Sequence, residues 1–147
     1  MKFADLREGM VITAGPVKVE QEEILEFARK YDPQWFHTDL KRAETGRWGG
    51  LISSGWMTCG LAMRLVAETI LRDSECYGSP GLSALHWRAP VRPGDELSLE
   101  ARVNEIRQSS SRPGLGIVQW TWRMRNQRGE AVLELEVTNL FDLSGQG

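Results

Sequence analysis

The chain is poor in cysteine, with two among 147 residues. Cys59 and Cys76 form no CxxC pair, and no Cys/His cluster has zinc-ligand spacing. That argues against a disulfide-stapled secreted scaffold and a structural zinc site. Cys59, in an apolar segment, reads as a buried structural thiol. Basic excess is also lacking. Eighteen Lys and Arg stand against 20 Asp and Glu, for a formal net charge of −2, and the cations are dispersed. No nucleic-acid partner is expected from such a balance. No apolar run approaches the ~20 residues of a membrane span, because Arg64 and Glu68 interrupt the most apolar stretch, Leu61 to Leu71. The opening MKFADLREGM is too polar for a signal peptide. A cytoplasmic protein without membrane contact is expected. Repeats, low-complexity blocks and linkers are absent too, so residues 1–147 are expected to form one domain.

What is present is a helical pattern followed by a β pattern. Residues 1–9 read as a leading arm, and the β-branched residues of Val11 to Val19 as a first strand. Gln21-Glu22-Glu23 opens a helix with acids at its positive end. Ile24, Leu25, Phe27 and Ala28 give it an apolar face, and Pro33 disfavours the α conformation at Asp32 before it. Residues 33–54 read as irregular, with a helical turn near Lys41 to Glu44. From Trp56 a helix of about 17 residues is apolar on most of its surface, which predicts burial. Strands follow near Leu82–Pro90, Glu96–Arg107, Gly116–Arg125 and Ala131–Asp142, with turn signals between them. Short connections predict a largely antiparallel sheet, and the whole predicts an α+β domain with a sheet wrapped around a helix.

Histidine is as scarce as cysteine, which draws attention to His37 in Tyr31-Asp32-Pro33-Gln34-Trp35-Phe36-His37-Thr38-Asp39. Imidazole is the usual proton shuttle near neutrality. On one continuous helix, a spacing of five would set Asp32 and His37 about 140° apart. A turn at Pro33 is what lets carboxylate and imidazole converge on one water. Spacing alone is a weak signal, because an Asp before Pro at a helix end is usually turn chemistry and a lone His near aromatics usually structural. The second feature is Gly49-Gly50-Leu51-Ile52-Ser53-Ser54-Gly55-Trp56, a glycine-punctuated loop entering the long helix. A helix start offers unpaired N–H groups and partial positive charge to a developing oxyanion. Ser53 or Ser54 also reads simply as the helix cap. Asp39 and Asp95 read as cap or turn acids, and His86 as a structural strand residue. Arg88, Arg92 and Arg112 are either solvated strand-end charges or contacts to the phosphates of a thioester carrier.

Several of these motifs resemble one family together. FARKYDPQWFHTDLKRAETGRWGGLISSGWMTCGLAMRL, from Phe27 to Leu65, is similar to the core of the MaoC-like dehydratases, which include the (R)-specific enoyl-CoA hydratases. HWRAPVRPGDEL, from His86 to Leu97, resembles the family's strand and turn ending in Pro-Gly-Asp, and SSSRPGLG and NQRGEAVLELEVTNL also fit. The resemblance covers nearly the whole chain. It implies a hot-dog fold, a curved antiparallel sheet around a long central helix. It implies at least a homodimer, with an acyl-CoA or acyl-carrier-protein thioester near the subunit interface, and neither cofactor nor metal. In the family an Asp and a His five residues later activate the catalytic water, which matches Asp32 and His37. The glycine whose amide binds the thioester carbonyl matches Gly55.

The chain departs from the family pattern at three places. Gln34 stands where the hydratases carry the Asn that holds the active-site turn, and Trp35 where they carry Pro. Ser54 replaces the His that often precedes the oxyanion glycine. Gln34, Ser54 and Gly55 are thus expected to line the oxyanion and substrate region. Trp35, Phe36, Trp48 and Trp56 crowd it, as packing or as the wall of a bulky acyl site. The expected reaction is reversible addition of water to a trans-2-enoyl thioester. One alternative on the same fold is an acyl-CoA thioesterase, with Glu68 or Glu44 as its acid. A non-catalytic acyl-CoA binding or sensing protein is the other.

Overall fold

Alternation of apolar and polar residues builds the sheet. In the computed structural model, which describes residues 1–145, β1 is Val11–Lys18, β2 Cys76–Trp87, β3 Glu96–Gln108, β4 Leu115–Arg125 and β5 Ala131–Asp142. Their order across the sheet is β1-β3-β4-β5-β2, and every neighbouring pair is antiparallel. Leu97, Leu99, Ala101 and Val103 of β3 point to one face, as do Val118, Trp120, Trp122 and Met124 of β4; all are buried. The opposite face carries charges, including Arg123 between Glu100 and Glu134.

The helices are α1 (Gln21–Tyr31), α2 (Trp35–Thr38), α3 (Leu40–Glu44) and α4 (Gly55–Val66). A π-helical turn, Ala67–Leu71, prolongs α4. Met57, Leu61, Leu65 and Val66 of α4 join the inner face of the sheet in one apolar core. Burying each such aliphatic side chain contributes about 1.5–3 kcal/mol. Trp120 is fully enclosed, and its indole N–H donates to Asn139 Oδ1 at 2.9 Å, whereas the buried indole N–H of its neighbour Trp122 has no hydrogen-bond partner among the described residues. A curved sheet around a central helix is the hot-dog arrangement.

Three predicted features differ from those observed. Residues 35–38 form a separate short helix, where the sequence suggests irregular chain. Four residues are too few to show a period. Strand β2 starts at Cys76, six residues before the predicted Leu82. Its register against β5 shifts at Cys76/Gly78, Gly78/Gly81 and Leu82/Ala84, which erases the alternation. Pro80 is tolerated there because β2 is an edge strand. Finally, α4 is not covered all round. Trp56, Gly60, Met63 and Ala67 lie along one exposed side, with Trp56 59% and Met63 40% exposed.

Asp95 joins the turn before β3 to the rest. Its carboxylate accepts from the Arg92 backbone N–H at 2.9 Å and from Gln127 Nε2 at 3.0 Å, and the residue is buried. Asp95→Ala strands both donors, and is expected to cost about 1–3 kcal/mol. A lower urea midpoint with an unchanged slope is the reading that checks this.

Candidate active site

Asp32 caps the end of α1. Its N–H still bonds to Ala28 O at 2.8 Å, but its φ of −151° and ψ of 67° have left the helix. Pro33 excludes a further helical residue at that point. The chain then turns. Gln34 N–H donates to Asp32 O at 2.8 Å, and Gln34 O accepts the His37 N–H at 2.9 Å, which starts α2. The turn brings His37 Nε2 to 3.3 Å from Asp32 Oδ2.

The loop leading to α4 holds the imidazole. Ile52 N–H donates to Phe36 O at 3.2 Å, and Ser53 N–H to Val91 O at 2.7 Å. The strap so formed aims Ile52 O at His37 Nδ1, 2.7 Å away. A carbonyl only accepts, so Nδ1 carries the proton. In the neutral ring Nε2 is therefore the lone-pair nitrogen, and it is the one facing Asp32. His37 is 5% exposed, and the Phe36 ring packs edge-on against it at 4.4 Å.

Asp32 is clamped at both oxygens. Gln34 Nε2 donates to Oδ1 at 2.7 Å, and Ser54 Oγ to Oδ2 at 2.7 Å. Burial pushes the Asp32 carboxyl up, but these two hydrogen bonds and the attraction of His37 outweigh it and hold it below its ordinary value. Ser54 also caps α4, accepting the Trp56 N–H at 3.3 Å. Its hydroxyl is thus committed to Asp32 and the helix cap; Ser54 does not line the cavity as a substrate contact.

A cavity of about 410 Å³ opens beside the pair. Asp32, Gln34, His37 and Gly55 line it together with Trp48, Trp56, Trp87 and Val91. Gly55 is the first residue of α4, where the helix dipole puts partial positive charge. A side chain there has no room, since a Cβ would lie 2.3 Å from Cε2 of the Trp87 indole. Trp87 in turn meets Trp56 edge-to-face at 5.2 Å. The indole thus lies against the first turn of α4, and burial pushes the nearby Cys59 thiol up, offset in part by Trp87 and by the Cys59 backbone.

The aromatic residues divide. Trp48 and Trp56 line the cavity. Trp35 turns away, under the Arg42 guanidinium at 4.3 Å and against Gly46. Arg88 lines the cavity, and Arg92 donates to Trp48 O at 2.5 Å; Arg112 does not line it. His86 is exposed on β2 and, although next to Trp87, does not itself line the cavity. Asp39 caps α3, accepting from Arg42 N–H at 3.0 Å. Glu44 and Glu68 are both exposed and outside the cavity lining, and Glu68 is paired with Arg64 at 3.2 Å. Sequence reasoning misses Trp87, the Ile52 carbonyl and Val91. A long-range strap and an edge-strand indole leave no local signal.

Among the described residues, no cluster of three His, Cys, Asp or Glu side chains is placed to hold a metal ion, and no helix is long and apolar enough to cross a membrane.

Known proteins are similar to this chain in structure or in sequence. A crystal structure of the MaoC-like dehydratase from Rhodospirillum rubrum superposes with a TM-score of 0.86 at 36% identity, over 95% of this chain and 94% of that one. The uncharacterized protein YdeM of Bacillus subtilis is 29% identical over 141 residues, 96% of this chain and 99% of its own. The 3-hydroxyacyl-thioester dehydratase Z of Mycobacterium tuberculosis is 34% identical over 83 residues, which is 55% of each chain. Residues 3–119 match the MaoC-like domain model. With the fold, the R. rubrum likeness and that match in agreement, the chain belongs to the MaoC-like dehydratase family.

Proposed function

We propose that the protein adds water reversibly to a trans-2-enoyl thioester, of coenzyme A or an acyl-carrier protein, giving a 3-hydroxyacyl thioester. One observation carries this reading: His37 Nε2 and Asp32 Oδ2 lie 3.3 Å apart at the wall of a cavity that also contains the start of α4. With Nδ1–H spent on Ile52, both atoms are acceptors. A water that gives one O–H to each keeps its lone pairs for an electrophile. As its oxygen bonds to C3, the pair takes one of its protons. The C2=C3 electrons move toward the thioester oxygen, where the Gly55 N–H stabilises the charge. The proton then returns to C2, so H and OH are added and nothing else is consumed. Dehydration is the reverse. General acid–base help typically contributes about 100- to 10,000-fold, and one oxyanion donor about 100- to 1,000-fold. The M. tuberculosis relative, a 3-hydroxyacyl-thioester dehydratase, supports the same reaction class.

A second copy of the chain completes the assembly in this reading. It covers the exposed side of α4 and the free edge of β2, where Trp87 is 45% exposed. Light scattering is expected to give about twice the chain mass.

The test is loss of enoyl-thioester absorbance across short, medium and aryl-substituted trans-2-enoyl-CoAs. At least one member is expected to be hydrated. Silence across the panel and across the matching acyl-carrier-protein thioesters would falsify the reading.

A further inference from the structure

We propose that Ser54 is a positioning residue that locks the Asp32 carboxylate to the first turn of α4, so that base and oxyanion donor move as one unit. The inference rests on the hydratase reading above and assigns Ser54 a task within it. Its hydroxyl has one proton, and that proton goes to Asp32 Oδ2 at 2.7 Å. Its oxygen accepts the Trp56 N–H at 3.3 Å, and its carbonyl accepts Met57 N–H at 3.0 Å and Thr58 N–H at 3.2 Å. Ser54 is 1% exposed, so water does not compete for these bonds. The residue immediately after it is Gly55, whose N–H faces the developing charge in the proposed mechanism. A carboxylate that ends α1 is therefore bonded to the residue preceding the oxyanion donor, across 22 positions of sequence.

Capping alone does not require this residue. An aspartate caps a helix as well as a serine, yet it has no proton to give Asp32. The Ser54 hydroxyl does both. With Gln34 on Oδ1 and Ser54 on Oδ2, the carboxylate plane is fixed from two sides. Misplacement of a reacting group by about 1 Å is enough to cost on the order of 100-fold in rate.

Ser54→Gly separates the two tasks, because glycine in place of serine costs a cap only a few tenths of a kcal/mol. Ser54→Thr retains the hydroxyl. In Ser54→Gly, kcat is expected to fall about 10- to 100-fold, with KM within about threefold. The acid limb of the kcat/KM profile is expected to move to higher pH, because the ionised carboxylate has lost a donor. Ser54→Thr is expected to restore both. A Ser54→Gly protein with near-normal kcat and an unmoved acid limb, or one impaired through KM alone, overturns the proposal. Should the wild type hydrate no enoyl thioester, the functional reading fails separately. An NMR titration of the Asp32 carboxyl then still decides the link: its pKa rises in Ser54→Gly if the bond holds it, and is unchanged if not.

Discussion

His37→Ala and Asp32→Ala each lower kcat for enoyl-thioester hydration by at least about 100-fold while the fold persists. The two losses are expected not to multiply in the double variant, because the groups activate one water together. The cause is geometric. Removing His37 leaves Asp32 oriented by Gln34 and Ser54, but with no second acceptor for the water. Removing Asp32 leaves His37 fixed on Ile52, with the same deficit. The pH dependence follows from the direction of the Asp32 shift. Asp32 works ionised, and its carboxyl lies below its ordinary 3.8, so its contribution to the acid limb falls below that pH. The same ionisation contributes to folding. That stability is fully present above 3.8 and is lost as pH falls through the lowered value. Activity of either single variant within tenfold of wild type would remove Asp32 and His37 from the mechanism.

Gly55→Ala is the second large effect, and it reads both stability and catalysis. A methyl group at Gly55 lies 2.3 Å from Cε2 and 2.4 Å from Nε1 of Trp87, too close for any real contact. The indole must leave its place across α4 and give up its edge-to-face contact with Trp56. Overpacking of this kind costs about 1–3 kcal/mol. The cavity wall moves with the indole, and the methyl group stands beside the N–H that the mechanism uses. A fall in kcat/KM of at least about 100-fold is expected, the scale of losing one oxyanion donor. Trp87→Ala in the same chain is expected to recover part of the lost stability, since contacting residues couple by about 0.5–3 kcal/mol. It is not expected to recover activity. A thermal melt and a rate for each of the three proteins check both statements. Full additivity in the melts would mean that Trp87 does not rest on Gly55.

Much of this architecture is legible in the sequence where a pattern is local. The alternation in Leu97, Leu99, Ala101 and Val103 announces β3, and these residues are buried. Pro33 marks the end of α1, which the structure places at Tyr31. The glycine and serine run before Trp56 marks the start of α4, and Ser54 caps it. Convergence of Asp32 and His37 is legible only as a possibility, since a turn can bring them together or separate them. What decides it is Ile52 O, 15 residues beyond His37, held by bonds to Phe36 and Val91. A backbone carbonyl leaves no mark on residue identity. Trp87 is hidden for a related reason: β2 carries bulges, so its phase cannot be counted from its start, and only the folded sheet brings the indole over α4. The uncovered side of α4 is hidden by its own composition, because an apolar helix reads as buried whether its cover is the same chain or another.

The most direct test of the central claim is the mass of the product formed from a trans-2-enoyl-CoA in deuterated water. The account predicts an intact thioester heavier by one water, with oxygen at C3 and one non-exchanging deuterium at C2, formed by the wild type and not by Asp32→Ala. Free coenzyme A with the unhydrated 2-enoic acid, its carbon chain intact, would contradict it, and would point to thioester hydrolysis at the Asp32–His37 cavity instead.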